Sequence, residues 1–287
     1  MAAVPNDSQE QSPLEQILAQ VKDIAVLPQV VFKILESTGS TDTSVLDLEK
    51  DIQVDPGFSA KVLQMANSAY FALPRRITTI RDGVQYLGFK TVRQIAMTAG
   101  VFDLFVGKND KESLRRRAWW RHSLDTANCA KWLCTHYKEL NPEEAYTAGV
   151  LHLIGRTIMD RYSPEKYTVV MAGIEQGIPV VFAEQHFIGT DHAQVVTAVC
   201  ATWGLPEELI SAVDYTTPTP DGTGPSARAC VAIANKISEL ATNGRPEGLD
   251  LKEYFPRWAS DSLNITDNLH DWVEAGITVI AATARSN

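Results

Sequence analysis

An all-α fold is what this sequence predicts, and three observations predict it. A polar capping residue followed by proline heads several apolar runs. Within those runs the apolar residues recur every three or four positions, and no segment alternates apolar and polar residues between turn signals as a half-buried strand would. The runs are too short and varied for a coiled coil, and no repeat of fixed period is present.

The opening "MAAVPNDSQEQS" lacks both a basic n-region and an apolar core, so residues 1–12 read as a polar, disordered tail. In "SPLEQILAQVKDI" Ser12 is the N-cap, Pro13 the first helical residue and Glu15 the closing member of a capping box. Further helices are expected at 29–37, 43–52, 56–69, 79–105 and 110–137. Asn141 and Pro142 open "NPEEAYTAGVLHLIGRTIMDRY", and Ser163 and Pro164 open "SPEKYTVVMAGIEQ". In "DHAQVVTAVCATWGLPEELISAV", Gly204 stops one helix and Pro206 starts another. The last helices fall at 226–241 and 268–284. "TTPTPDGTGPS", residues 216–226, is rich in Pro, Gly and Thr and reads as a loop; "VGKNDKES", residues 106–113, marks a weaker boundary. The expected division is an N-terminal helical subdomain at 13–109, a helical core at 110–215, and helices at 227–287 that complete the core.

A chain of 287 residues with 45% hydrophobic and 21% charged content suits a globular protein. No apolar run approaches the roughly 20 residues that span a bilayer, so the expected setting is cytoplasmic and no membrane partner is expected. Cys129, Cys134, Cys200 and Cys230 have no C-x-x-C spacing and read as buried, inert thiols. The formal net charge of -9 opposes bulk attraction to nucleic acid. "RRRAWWR", residues 115–121, is the segment that invites a nucleic-acid reading, yet helical spacing puts Trp119 on a buried stripe and lets Arg115, Arg116 and Arg117 spread over solvent.

Trp119, His122, Thr126, Cys129, Ala130 and Leu133 share one stripe, so His122 points inward. His152 does likewise, sharing its stripe with Ala145, Ala148, Gly149, Gly155 and Met159. Two inward histidines on consecutive long helices can meet. No phosphate-binding glycine loop, Ser-His-Asp pattern or Cys-His nucleophile is present.

From Leu27 to about Tyr215 the chain resembles the HDOD family, a degenerate branch of the HD metal-dependent phosphohydrolase superfamily found in bacterial signalling proteins. The resemblance rests on "LPQVVFKILE", on "DIQVDPGFSAKVLQMANSAYFALPRRITTIRDGVQYLGFKTVRQIAM" with its Asp-Pro, Asn-Ser-Ala-Tyr and Pro-Arg, and on "RHSLDTANCAKWL", "EEAYTAGVLHLIGRTIM" and "GTDHAQVVTAVCATWGLPEELISAV" in consistent order. It implies an HD-like helical bundle with an N-terminal helical subdomain.

An active HD site holds divalent metal with a first His, a later His-Asp pair and a final Asp. By that resemblance His122 takes the first position and His152 the second, Leu153 stands in place of the Asp, and Asn235 is the counterpart of the final Asp. Hard cations need anionic oxygen donors, and both are absent. No catalytic residue, metal or cofactor is therefore expected; a rebuilt metal site would draw on His122, His152, Glu184 and Asp214. Asp191 is read as a helix cap and His186 as solvated. "ANSAYFALPRR" supplies partner-binding candidates Asn67, Ser68, Tyr70 and Arg75, which would otherwise fix the packing of the two helical parts.

The resemblance thus implies a non-catalytic regulatory module that acts on signalling proteins in trans, or through a nucleotide-type ligand at a vestigial metal site. The alternative is a metal-dependent phosphohydrolase of a nucleotide or cyclic dinucleotide.

Overall fold

The structure, a computed structural model, describes residues 11–24, 29–36, 44–68, 75–105, 110–219 and 224–284. Among them every regular element is a helix, and none is long and apolar enough to cross a membrane. The expected all-α class is the one observed.

The first helix, α1 (Pro13–Ile24), opens on the predicted capping box: the Glu15 backbone N–H donates to Ser12 Oγ at 3.3 Å, and Ser12 N–H donates to Glu15 Oε2 at 2.7 Å. Five helices follow among the described residues: α2 (Gln29–Glu36), α3 (Val45–Gln53), α4 (Pro56–Ala66), α5 (Ile80–Leu87) and α6 (Phe89–Phe105). Asp55 caps α4 by accepting from the N–H groups of Gly57 and Phe58, with Pro56 at the first helical position. The run expected as one helix over 79–105 is two, because Gly88 takes φ +82 and turns the chain between α5 and α6.

The core is built on α7 (Asp110–Cys134), which packs against α8 (Pro142–Leu151), α14 (Ala227–Asn243) and α17 (Leu269–Ala284). Around it lie α9 (Ile154–Tyr162), α10 (Pro164–Glu175), α11 (Val180–Ile188), α12 (His192–Thr202) and α13 (Glu207–Val213), with short α15 (Leu251–Tyr254) and α16 (Arg257–Ser262) near the end. α6 joins the two parts, touching α7, α8 and α9, while α1 packs on α9 and α12. The four cysteines are free and buried.

Three further departures from the sequence reading have local causes. The run from Asn141 to Tyr162 breaks at His152 and Leu153, where α8 ends and α9 begins. Ser163 precedes α10 without making a side-chain cap hydrogen bond. α11 was not expected at all, because its residues "VVFAEQHFI" have neither a polar cap nor a clear stripe. Close helix approach also depends on two glycines. A Cβ on Gly149 would overlap the Ala127 backbone of α7, and one on Gly155 would overlap the His192 carbonyl of α12.

The arginines of "RRRAWWR" depart from expectation too. Arg116 is 2% exposed and, with Arg115, pairs with Asp160 of α9, which is 0% exposed. They bind α7 to α9, and of the three only Arg117 lies in solvent.

Candidate functional site

His122 projects from the middle of α7, His152 caps the end of α8, and Asn235 lies on α14; these are the helices that pack most closely in the core. Their side chains converge. His122 Nε2 is 2.7 Å from Asn235 Oδ1, and His152 Nε2 is 3.3 Å from the same oxygen. The two imidazole centroids are 5.7 Å apart. His152 Nδ1 donates to the Gly149 carbonyl at 2.6 Å, so in the neutral ring Nε2 carries no proton. The amide of Asn235 is oriented by its own Nδ2, which donates to Glu239 Oε1 at 3.2 Å. One hydrogen, on His122 Nε2, therefore serves the Asn235 oxygen while the bare Nε2 of His152 faces it.

Burial pushes the His152 pKa down to about 3, and the neighbouring His122 adds to the effect. Burial lowers His122 as well, against the hydrogen bond to Asn235. Both rings are thus neutral at pH 7. Glu239 is held below the ordinary carboxylate range: burial opposes its charge, but Lys236 at 2.8 Å and the Tyr254 hydroxyl at 2.7 Å outweigh it.

Beside the pair runs a second buried network that sequence reasoning missed in part. Glu184 of α11 accepts from the backbone N–H of His192 at 3.0 Å and from its ring Nδ1 at 2.5 Å. Its other oxygen accepts from the Tyr167 hydroxyl at 2.7 Å and stands 3.7 Å from Arg156 Nε. On the other side of the ring, His192 Nε2 lies 2.7 Å from the Tyr215 hydroxyl. Tyr215 in turn sets its ring edge-on to His152, with centroids 5.0 Å apart. Burial opposes the ionisation of Glu184, yet the His192 and Arg156 interactions prevail and its pKa is lowered.

Arg156, Tyr167, Tyr215 and Glu239 were not read from the sequence. Arg156 lies four residues after His152, a spacing that would have put it on the same helical face. Tyr215 follows the last matched segment by two residues. The other two carry no local signal.

Glu184 and Asp214 do not join the histidine pair. Asp214 accepts from the Thr217 hydroxyl at 2.7 Å and lies 3.6 Å from Arg228, which also holds the Ser211 carbonyl. Asp191 caps α12 by accepting from Gln194 N–H at 2.9 Å, and exposed His186 stacks on Phe182. In the N-terminal subdomain Asn67 exchanges two 2.7 Å hydrogen bonds with the backbone of Ile77, and Ser68 donates to the Met65 carbonyl. Arg75 lays its guanidinium 3.8 Å over the Tyr86 ring. Tyr70 lies outside the described residues.

His122 and Asn235 open on a cleft of 630 Å³ lined by Trp119, Leu153, Arg156, Lys236 and Glu239 among others, with His152 buried behind them. A hard divalent cation does not fit this donor set. Two neutral imidazoles and one amide oxygen bring no negative charge, and Leu153 presents only carbon where a second oxygen donor would be needed. Among the described residues no three His, Cys, Asp or Glu side chains are arranged to hold a metal ion.

The HDOD domain pattern matches residues 24–218. An uncharacterized protein of Treponema pallidum (strain Nichols) is 24% identical over 220 residues, covering 74% of this chain and 42% of that protein, so the chain spans less than half the length of this curated relative. An HDOD domain protein of unknown function from Geobacter sulfurreducens superposes with a TM-score of 0.73, at 24% identity over 96% of this chain and 98% of the other. A candidate phosphohydrolase from Shewanella amazonensis SB2B superposes with a TM-score of 0.70, at 21% identity over 95% and 98%. At such identities the structural likeness is one of fold.

Proposed function

Because the chain belongs to the HDOD domain family, we propose that it is a non-catalytic signal-transduction module that works through protein partners in trans or through a small ligand in the histidine cleft. The observation that supports this reading is the meeting point of His122, His152 and Asn235. Metal-assisted hydrolysis needs a cation firm enough to lower the pKa of bound water, and the cation needs anionic oxygens. Here the oxygen is a neutral amide, and the adjacent carboxylate, Glu239, is engaged by Lys236 and Tyr254.

The alternative, a phosphohydrolase acting on a nucleotide or cyclic dinucleotide through a rebuilt site, would need Glu184 and Asp214 to leave His192 and Arg228.

The deciding measurement is metal content by inductively coupled plasma mass spectrometry, after dialysis against trace manganese, iron and magnesium, with His152→Ala in parallel. The expected result is well below one ion per chain, unchanged by the substitution, with no nucleotide hydrolysis. About one ion per chain, lost in His152→Ala together with a hydrolytic activity, would overturn the proposal.

A further inference from the structure

A second cavity, of 510 Å³, lies at the seam between the N-terminal subdomain and the core. Its walls come from both sides: Met65 of α4, Ala99 and Phe102 of α6, Trp120 and Leu124 of α7, and Tyr146 of α8. It is distinct from the histidine cleft. α7 separates the two, giving Trp119 and His122 to one and Trp120 and Leu124 to the other.

The lining resembles what small-molecule sites use: concave, largely apolar, placed at a junction of helical units, with a few fixed polar groups. Trp120 meets Phe102 edge to face, centroids 5.3 Å apart, so an aromatic wall stands ready for a ring. Met65 adds a deformable thioether, which suits contact with aromatic edges. The fixed polar pair is Thr98 with Tyr146, both 3% exposed. Thr98 donates to the Gln94 carbonyl at 2.6 Å, so in its 3.2 Å contact with Tyr146 the tyrosine hydroxyl is the donor. What this pair offers the cavity is acceptor character. Arg121 and Asp125 also line the cavity and pair with each other at 3.0 Å within α7; Lys61, which is engaged elsewhere, and the uncharged Gln64, Ser68 and Thr283 complete the lining.

We propose that this cavity is a binding site for a small, uncharged aromatic molecule carrying a hydroxyl or amine donor. The ring lies against Trp120, Phe102 and Met65, and the donor reaches the Tyr146 and Thr98 oxygens. The proposal is independent of the reading of the histidine cleft and stands or falls by itself.

The protein reports on both cavities, because Met65 lines this one and Met171 lines the cleft. The full chain, labelled with ¹³C-methyl methionine and assigned through Met65→Leu and Met171→Leu, is titrated with 2-naphthol and with naphthalene. Saturable shifts of the Met65 methyl with Met171 unmoved are expected, and 2-naphthol binds about tenfold more tightly than naphthalene. Leu124→Trp, which fills the cavity, abolishes the shifts. Tyr146→Phe, a smaller change should the tryptophan fail to fold, removes most of the preference for 2-naphthol. No saturable Met65 shift, shifts confined to Met171, or equal affinity for the two probes would overturn the proposal.

Discussion

Glu184 grips His192 twice with one carboxylate oxygen, at the backbone N–H 3.0 Å away and at ring Nδ1 2.5 Å away. Both side chains are fully buried, and with Arg156, Tyr167 and Tyr215 they tie α9, α10, α11 and α12 to the segment after α13. Glu184→Gln keeps the shape but removes the charge that Arg156 and His192 face. It is expected to cost about 2–4 kcal/mol in urea unfolding at pH 7. Because the folded pKa lies below the ordinary 4.5, the carboxylate's contribution is complete above that value and is lost as the pH falls through the folded pKa. The gap between wild type and variant should therefore close in acid.

His152 makes the fold acid-sensitive at higher pH. The unfolded chain takes up its proton near 6.5, whereas the folded chain resists it until about 3. Stability is thus complete above pH 6.5 and declines as the pH drops toward 3, by roughly 4–5 kcal/mol in all. Urea midpoints followed across this range should fall less steeply in His152→Gln than in wild type; equal slopes would place the titration elsewhere.

Asp160 is the anion that keeps Arg116 in the core. Asp160→Asn removes the buried carboxylate that Arg115 and Arg116 share and is expected to destabilise by about 3–5 kcal/mol. Arg117→Glu, on the exposed side of the same helix turn, should change stability by no more than about 0.5 kcal/mol. Thermal unfolding of the two variants beside wild type separates a packing role for this arginine run from a surface one.

By the resemblance to active HD sites, Leu153 and Asn235 fall at the two carboxylate positions, and Asn235 Oδ1 lies beside both His122 and His152. Leu153→Asp combined with Asn235→Asp should confer binding of about one manganese ion per chain, read by mass spectrometry and by electron paramagnetic resonance. Leu153→Asp alone buries an unpaired carboxylate and should cost about 2–4 kcal/mol without gaining the ion. Failure of the double variant to retain manganese would show that two added carboxylates are not enough to build a metal site beside this histidine pair.

Local chemistry was legible wherever a residue acts on its own helix. Ser12 with Glu15, Asp55 with Pro56, Asn141 with Pro142 and Asp191 cap their helices as short-range rules require. α11 escaped notice because exposed Phe182 puts an apolar ring on its outer face, so no clean polar stripe marks it. Partners 44 or 45 residues apart, such as Arg116 and Arg115 with Asp160, are invisible to periodicity. An arginine on a helix looks solvated until another helix brings it an anion.

The sequence by itself determined the all-α class, the caps at Ser12, Asn141 and Asp191, and the inward facing of His122 and His152, because propensity, capping and side-chain periodicity are local properties; that Leu153 and Asn235 fall at carboxylate positions of active HD sites is what the resemblance implies. Only the tertiary structure decided that the two imidazoles meet at one amide oxygen, that Glu184 serves His192 instead of the histidine pair, and that α4, α6 and α7 leave a cavity between them. Those outcomes depend on how helices distant in sequence pack, where the burial of each polar group forces it to find a partner across the fold.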